Sequence, residues 1–104
     1  MTKQLIIYLS GPMSGYPDYN YPEFNRVAKL LRGKGYKVIN PAEVETKEKT
    51  WEAYMRADIK LLMDADRVVL LGGWERSRGS CLEVSLARQL GMQIVALKTM
   101  LGGI

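Results

Sequence analysis

Histidine is absent from this 104-residue chain and cysteine occurs once, at Cys81. A single cysteine makes no internal disulfide, and without imidazole a zinc or haem site has almost no ligands to draw on. The expectation is a protein with no disulfide framework, no catalytic metal and no cofactor. Long hydrophobic runs are missing too: the longest, RVVLLGGW, falls well short of the roughly 20 residues that span a bilayer. The N-terminus lacks the succession of basic, apolar and small residues that makes a signal peptide, so a cytoplasmic protein held by no membrane is expected. Basic charge is only mildly in excess, at +4, and the lysines and arginines are spread from Lys29 to Arg88 among acids rather than gathered in a block. With no RNA- or DNA-binding motif, this excludes polymeric nucleic acid as the expected partner and suits a small anionic ligand.

What is present is ordinary globular composition, 47% apolar and 25% charged, in a length that fits a single domain over residues 1–104. KQLIIYLS is a short β-rich run that stops at Gly11-Pro12 and predicts a first buried strand. After the loop GPMSGYPDYNY, Asn20 is placed to cap a helix from about Tyr21 to Lys34. Pro22 lies in its first turn, and Phe24, Val27, Ala28, Leu30 and Leu31 lie along one face. YKVIN predicts a second strand, and a polar connection leads to a helix from about Trp51 to Met63 with an apolar stripe of Tyr54, Met55, Ile59, Leu62 and Met63. DRVVLLGG predicts a third strand, nearly all apolar as a strand covered on both faces should be. Leu82, Val84, Leu86, Ala87 and Leu90 suit a third helix closed by Gly91, MQIVALK predicts a fourth strand, and the tail LGGI is too short for another helix.

Alternating strands and helices predict an α/β fold, a doubly wound parallel sheet of about four strands in the order 2-1-3-4 with helices on both faces. Ligands of such sheets bind beyond the carboxyl ends of the strands at the switch point, here between strands one and three. The loop after Ser10 and the loop after Leu71 therefore meet at the expected mouth.

Four acids and one phenol are weighed for chemical roles. Ser80-Cys81-Leu82-Glu83 fits a capping box, in which Glu83 only closes the helix start. The same position suits a carboxylate kept ionised by the helix N-terminus, its pKa held low, and ready to attack a sugar carbon. Asp64 and Asp66 sit at the opposite edge of the sheet and read as structural. Asp58, one turn after Tyr54 and Met55, borders the apolar stripe as a candidate second carboxylate, or else is a solvated aspartate paired with Arg56 or Lys60. Tyr8, on strand one, is either half-buried packing or a hydroxyl within reach of that carboxylate. The first loop, Ser10, Gly11, Met13, Ser14 and Gly15 around Pro12, presents backbone N–H groups to an anion, and Ser77, Arg78 and Gly79 form the facing loop. Trp51 and Trp74 are candidate pocket walls.

Taken jointly, YLSGPMSG, the pair Asp58 and Asp66 in DIKLLMDAD, and SRGSCLE resemble the nucleoside 2-deoxyribosyltransferase-like superfamily, in particular a small bacterial and phage branch similar to 2′-deoxynucleoside 5′-phosphate N-hydrolases. The match runs from Tyr8 to about Val95. The resemblance implies that Glu83 is a nucleophile for C1′ of a nucleoside or nucleotide, that Tyr8 orients it, and that Asp58 assists departure of the base. It implies a 5′-phosphate bound by the first loop and Ser77, and a homodimer or larger homo-oligomer. It also shows departures: Ser77 stands where the transferases carry an acid, which favours hydrolysis over base transfer. GGWERSR is an atypical insertion, and a fifth strand and final helix are missing. A nucleotide-binding module without turnover is the competing expectation.

Overall fold

The computed structural model describes residues 4–102. Its strands are β1 (Ile6–Ser10), β2 (Lys37–Ile39), β3 (Arg67–Leu70) and β4 (Gln93–Ala96). Its helices are α1 (Tyr21–Gly33), α2 (Trp51–Leu62), α3 (Arg78–Gln89) and the single turn α4 (Leu97–Met100). All three strand pairs are parallel, in the order β2-β1-β3-β4, as the alternation of elements predicts. Among the described residues no helix is long and apolar enough to cross a membrane.

The period of two along β1 sorts its side chains between two different layers. Ile7 and Leu9 pack with Phe24, Val27, Ala28 and Leu31 of α1 and with Val69, Leu71 and Met100. On the other face Tyr8 and Val68 pack against Leu62 of α2 and Ala87 of α3. Each large side chain so buried stabilises the chain by roughly 1.5–3 kcal/mol.

Local pattern misplaces several side chains. Leu30 is 41% exposed rather than part of the α1 stripe, Met63 follows the end of α2 and is exposed, and the predicted α3 stripe is turned. Leu82 and Leu90 face solvent, while Ser80, Glu83, Val84 and Ala87, spaced i, i+3, i+4 and i+7, form the buried face. Asn20 does precede α1, but it caps nothing with its side chain, because its Nδ2 donates to the Pro12 carbonyl at 2.9 Å. Asp18, Tyr19 and Asn20 all have left-handed backbone, with φ of 51°, 54° and 61°. Strand four is shorter than expected, since Leu97 and Lys98 already belong to α4. Lys3, the expected start of the first strand, and residues 103–104 of the tail LGGI lie outside the described residues.

Candidate functional site

The backbone amide of Leu71 donates to the Ser10 carbonyl at 2.9 Å, which fixes the loop after β1 beside the loop after β3. Gly11 permits that approach, because a Cβ there would sit 2.8 Å from the Leu71 Cβ. Beyond these strand ends, and between the starts of α2 and α3, opens a cleft of about 780 Å³. Gly11, Met13 and Ser14 of the first loop line it, as do Ser77, Arg78 and Gly79 of the facing one. Asp58 and Glu83 line it too, so both carboxylates open on one cavity. Gly15, Tyr8 and Ser10 stand outside the lining, the last two directly behind Glu83.

Glu83 sits on the inward face of α3 and is only 5% exposed. Its Oε2 accepts a hydrogen bond from the Tyr8 hydroxyl at 2.5 Å and its Oε1 one from the Ser10 hydroxyl at 2.9 Å. Ser10 has one proton and gives it to the carboxylate, so the Ser80 hydroxyl, 3.0 Å from Ser10, completes a chain of hydroxyls behind the acid. Tyr8 and Ser10 reach the same carboxylate because residues two apart on a strand share a face. Glu83 is not the partner in a capping box. The helix is capped three residues before Ser80: Ser77 is its cap, its Oγ accepting from the Ser80 amide at 3.2 Å. That shift puts Glu83 in the second turn, too far in to serve the free N–H groups or to gain much from the helix terminus.

The expected depression of the Glu83 pKa is therefore overturned. Burial is the largest influence and pushes the carboxyl up to about 7, against the pull of the Tyr8 and Ser10 hydrogen bonds, while Asp58 adds a further upward push. Asp58 is likewise raised to about 7 by burial. It occupies the buried face of α2 with Met55 and Leu62, 8% exposed, and its Oδ1 has no hydrogen-bond partner. That rules out the solvated aspartate paired with Arg56 or Lys60. The Tyr8 phenol, fully buried against Glu83, is held protonated well above its ordinary range by burial first and by the neighbouring carboxylates after it. Asp66 is structural as expected, its Oδ2 accepting from the Ile6 amide at 2.9 Å at the opposite sheet edge.

The rest of the lining contains residues that pattern reading passed over. Tyr16, Tyr19 and Tyr21 come from YPDYNY, whose density of tyrosine is the one sequence signal that could have flagged them, and Tyr54 and Lys49 come from the opposite side. Trp51 lines the cleft with the Arg78 guanidinium 3.6 Å from its ring centroid, whereas Trp74 is not part of the lining. The Arg76 side of the inserted segment also reaches the cleft. A second depression of about 750 Å³ lies between β2 and α2, and no buried polar atom there lacks a partner. Among the described residues no group of three or more histidine, cysteine, aspartate or glutamate side chains is placed to hold a metal ion.

Comparison with known proteins fits this architecture. A family model described as Domain of unknown function (DUF4406) matches residues 5–96. Solved structures that resemble the chain include a 2-desoxiribosyltransferase from Leishmania mexicana, at 21% sequence identity and a TM-score of 0.69. The likeness covers 88% of this chain and 63% of that one, so the chain spans less than two thirds of the transferase. At that identity the likeness is one of fold. No curated protein matches the sequence significantly.

Proposed function

The chain belongs to the DUF4406 family and has a nucleoside 2-deoxyribosyltransferase-like fold, and on that premise we propose that it is an N-glycosidase hydrolysing the base–sugar bond of a deoxyribo- or ribonucleoside 5′-monophosphate, with Glu83 as nucleophile. One observation carries this reading: a carboxylate gripped at both oxygens, by Tyr8 and Ser10, shares a cleft with a second buried carboxylate that has an oxygen to spare. Two hydroxyl donors fix the orientation of Glu83 and favour its charged form, while burial keeps it poorly solvated and therefore reactive.

In the first step a Glu83 oxygen bonds to C1′ as the bond from C1′ to the base nitrogen breaks. The electron pair leaves with the base, and protonated Asp58 supplies the proton that neutralises it. In the second step water attacks C1′ of the glycosyl ester and Asp58 takes its proton. The sugar phosphate leaves and the Glu83 carboxylate is restored. Burial raises both acids to about 7, so forms with one of the two protonated are most populated around neutrality, and the rate should be bell-shaped in pH with its maximum close to pH 7. Transfer to a second base uses the same first step. Ser77, where the transferases carry an acid, favours water as the acceptor.

The test is incubation of the purified protein with a panel of ribo- and deoxyribonucleoside monophosphates, chromatography for free base, and Glu83→Gln as control. Release by wild type and none by the variant is expected. New nucleoside on addition of a second base would make the protein a transferase. Tight nucleotide binding with no release would make it a binding module.

A further inference from the structure

We infer that Trp51 is a positioning residue, whose indole face holds the Arg78 guanidinium at the cleft mouth as the recognition element for the substrate's 5′-phosphate. The inference rests on the proposed nucleotide substrate. Arg78 Cζ lies 3.6 Å from the centre of the Trp51 ring, and both residues line the cleft that Asp58 and Glu83 share. A guanidinium lying over a ring commits its π face and leaves its N–H groups, which lie in its own plane, free for the bidentate contact that phosphate favours. Among the described residues no carboxylate pairs with Arg78, so those N–H groups are not already taken.

The neighbours of the pair fit this arrangement. Gly79 follows Arg78, and a Cβ on it would come within 3.0 Å of Met55 Sδ and 3.9 Å of Trp51 Nε1. A side chain at position 79 would press on the Met55 thioether, so glycine suits the close approach of the first turn of α3 to α2, whose start the Thr50 hydroxyl fixes by accepting from the Ala53 amide. Ser77 precedes Arg78, and because its Oγ serves the helix as an acceptor, its own proton remains to be donated to an anion. The other cations of the lining are held less closely. Lys49 Nζ lies 5.9 Å from the Tyr54 ring centroid and donates to the Thr46 carbonyl, and Arg76 is exposed without a stacking partner. With Arg78 over one face of the indole, a base could use that face only by displacing the guanidinium.

The full-length chain is titrated calorimetrically with 2-deoxyribose 5-phosphate, which carries the phosphate without a base, and with the common deoxynucleosides, which carry a base without the phosphate. Trp51→Ala should weaken the sugar phosphate about three- to tenfold, and Trp51→Phe should restore most of the loss. Arg78→Ala should cost about tenfold or more, and Gly79→Ala should fall between. Nucleoside affinity should stay level in all of them, which also reports that the variants are folded. In turnover of a nucleoside monophosphate, Trp51→Ala should raise KM and leave kcat unchanged, a split that a general loosening of the fold would not give. Sugar-phosphate affinity indifferent to Trp51, or no sugar-phosphate binding by wild type, overturns the inference. So does an equal loss for nucleosides, which would make Trp51 a platform for the base. The glycosidase reading fails separately: phosphate binding that depends on Trp51, with no base released, leaves this role standing and removes that one.

Discussion

The two faces of the sheet, which β1 supplies with alternate residues, have divided their tasks. Toward α1 the layer is mostly apolar, with Ile7 and Leu9 packed into a cluster that reaches from Val38 to Met100 and a single buried amide, Asn40, donating to Asn25 Oδ1 at its edge. Toward α2 and α3 a smaller apolar group gives way, at the strand ends, to Tyr8, Ser10, Ser80, Asp58 and Glu83, all buried. The first face stabilises the chain. The second gives up stability to keep two acids out of water, which shows that a small α/β protein can confine that cost to one layer while the other holds the fold.

The comparison breaks most sharply at Glu83. Glu83→Gln should lower the rate of base release by about a thousandfold or more, on the order of 4 kcal/mol in the barrier, with the circular dichroism spectrum unchanged. Leu31→Ala strikes the opposite layer and should cost about 2–5 kcal/mol in urea denaturation, while activity per folded molecule survives. The third expectation follows from protons. Both carboxyls are raised to about 7 in the folded chain, from ordinary values of 4.5 and 3.8, so the folded state keeps protons that the unfolded state releases. The contribution of these two groups to stability is then fully present below about pH 4 and is lost as the pH rises through 7. Glu83→Gln should remove its share of that slope, making the variant more stable than wild type at pH 8, by up to about 3 kcal/mol, and similar to it at pH 4. Denaturation curves at the two pH values check this, and equal slopes for variant and wild type would show that the acid face carries no such cost.

Tyr8→Phe should reduce turnover about ten- to a hundredfold. Losing a donor that lowers the Glu83 pKa should also move the acid limb of the pH–rate profile to higher pH. Smallest of all, Leu90→Ala should shift stability by less than about 0.5 kcal/mol, because that leucine is 59% exposed despite fitting the helical pattern. A larger shift would mean that something covers it in solution.

The architecture was legible because strand composition, helix period and breakers agree along most of the chain. The meeting of the first and third loops follows from the handedness of the crossovers alone. What was not legible has a common cause. Ser77 and Ser80 both suit a helix cap by residue type, and the structure gives the place to Ser77, whose Oγ accepts from the Ser80 amide. Apolar periodicity looks for leucine and therefore turned α3 toward Leu82 and Leu90, when the inward positions hold Ser80 and Glu83. The direction of the Glu83 pKa shift was missed for the same reason, since a helix position can be read from sequence but desolvation by a facing sheet cannot. Tyr8, Asp58 and Glu83 were legible as neighbours of the expected mouth, and the structure sets Tyr8 on Glu83 and opens both carboxylates on one cleft.

The turn through Asp18, Tyr19 and Asn20 winds with the opposite hand to the helix it precedes. A right-handed coil cannot grow backward through three residues of the other hand, however favourable the side chains upstream. The first turn of α1 is thereby pinned at Tyr21, and the aromatic wall beside the cleft keeps its register even if the rest of that helix frays.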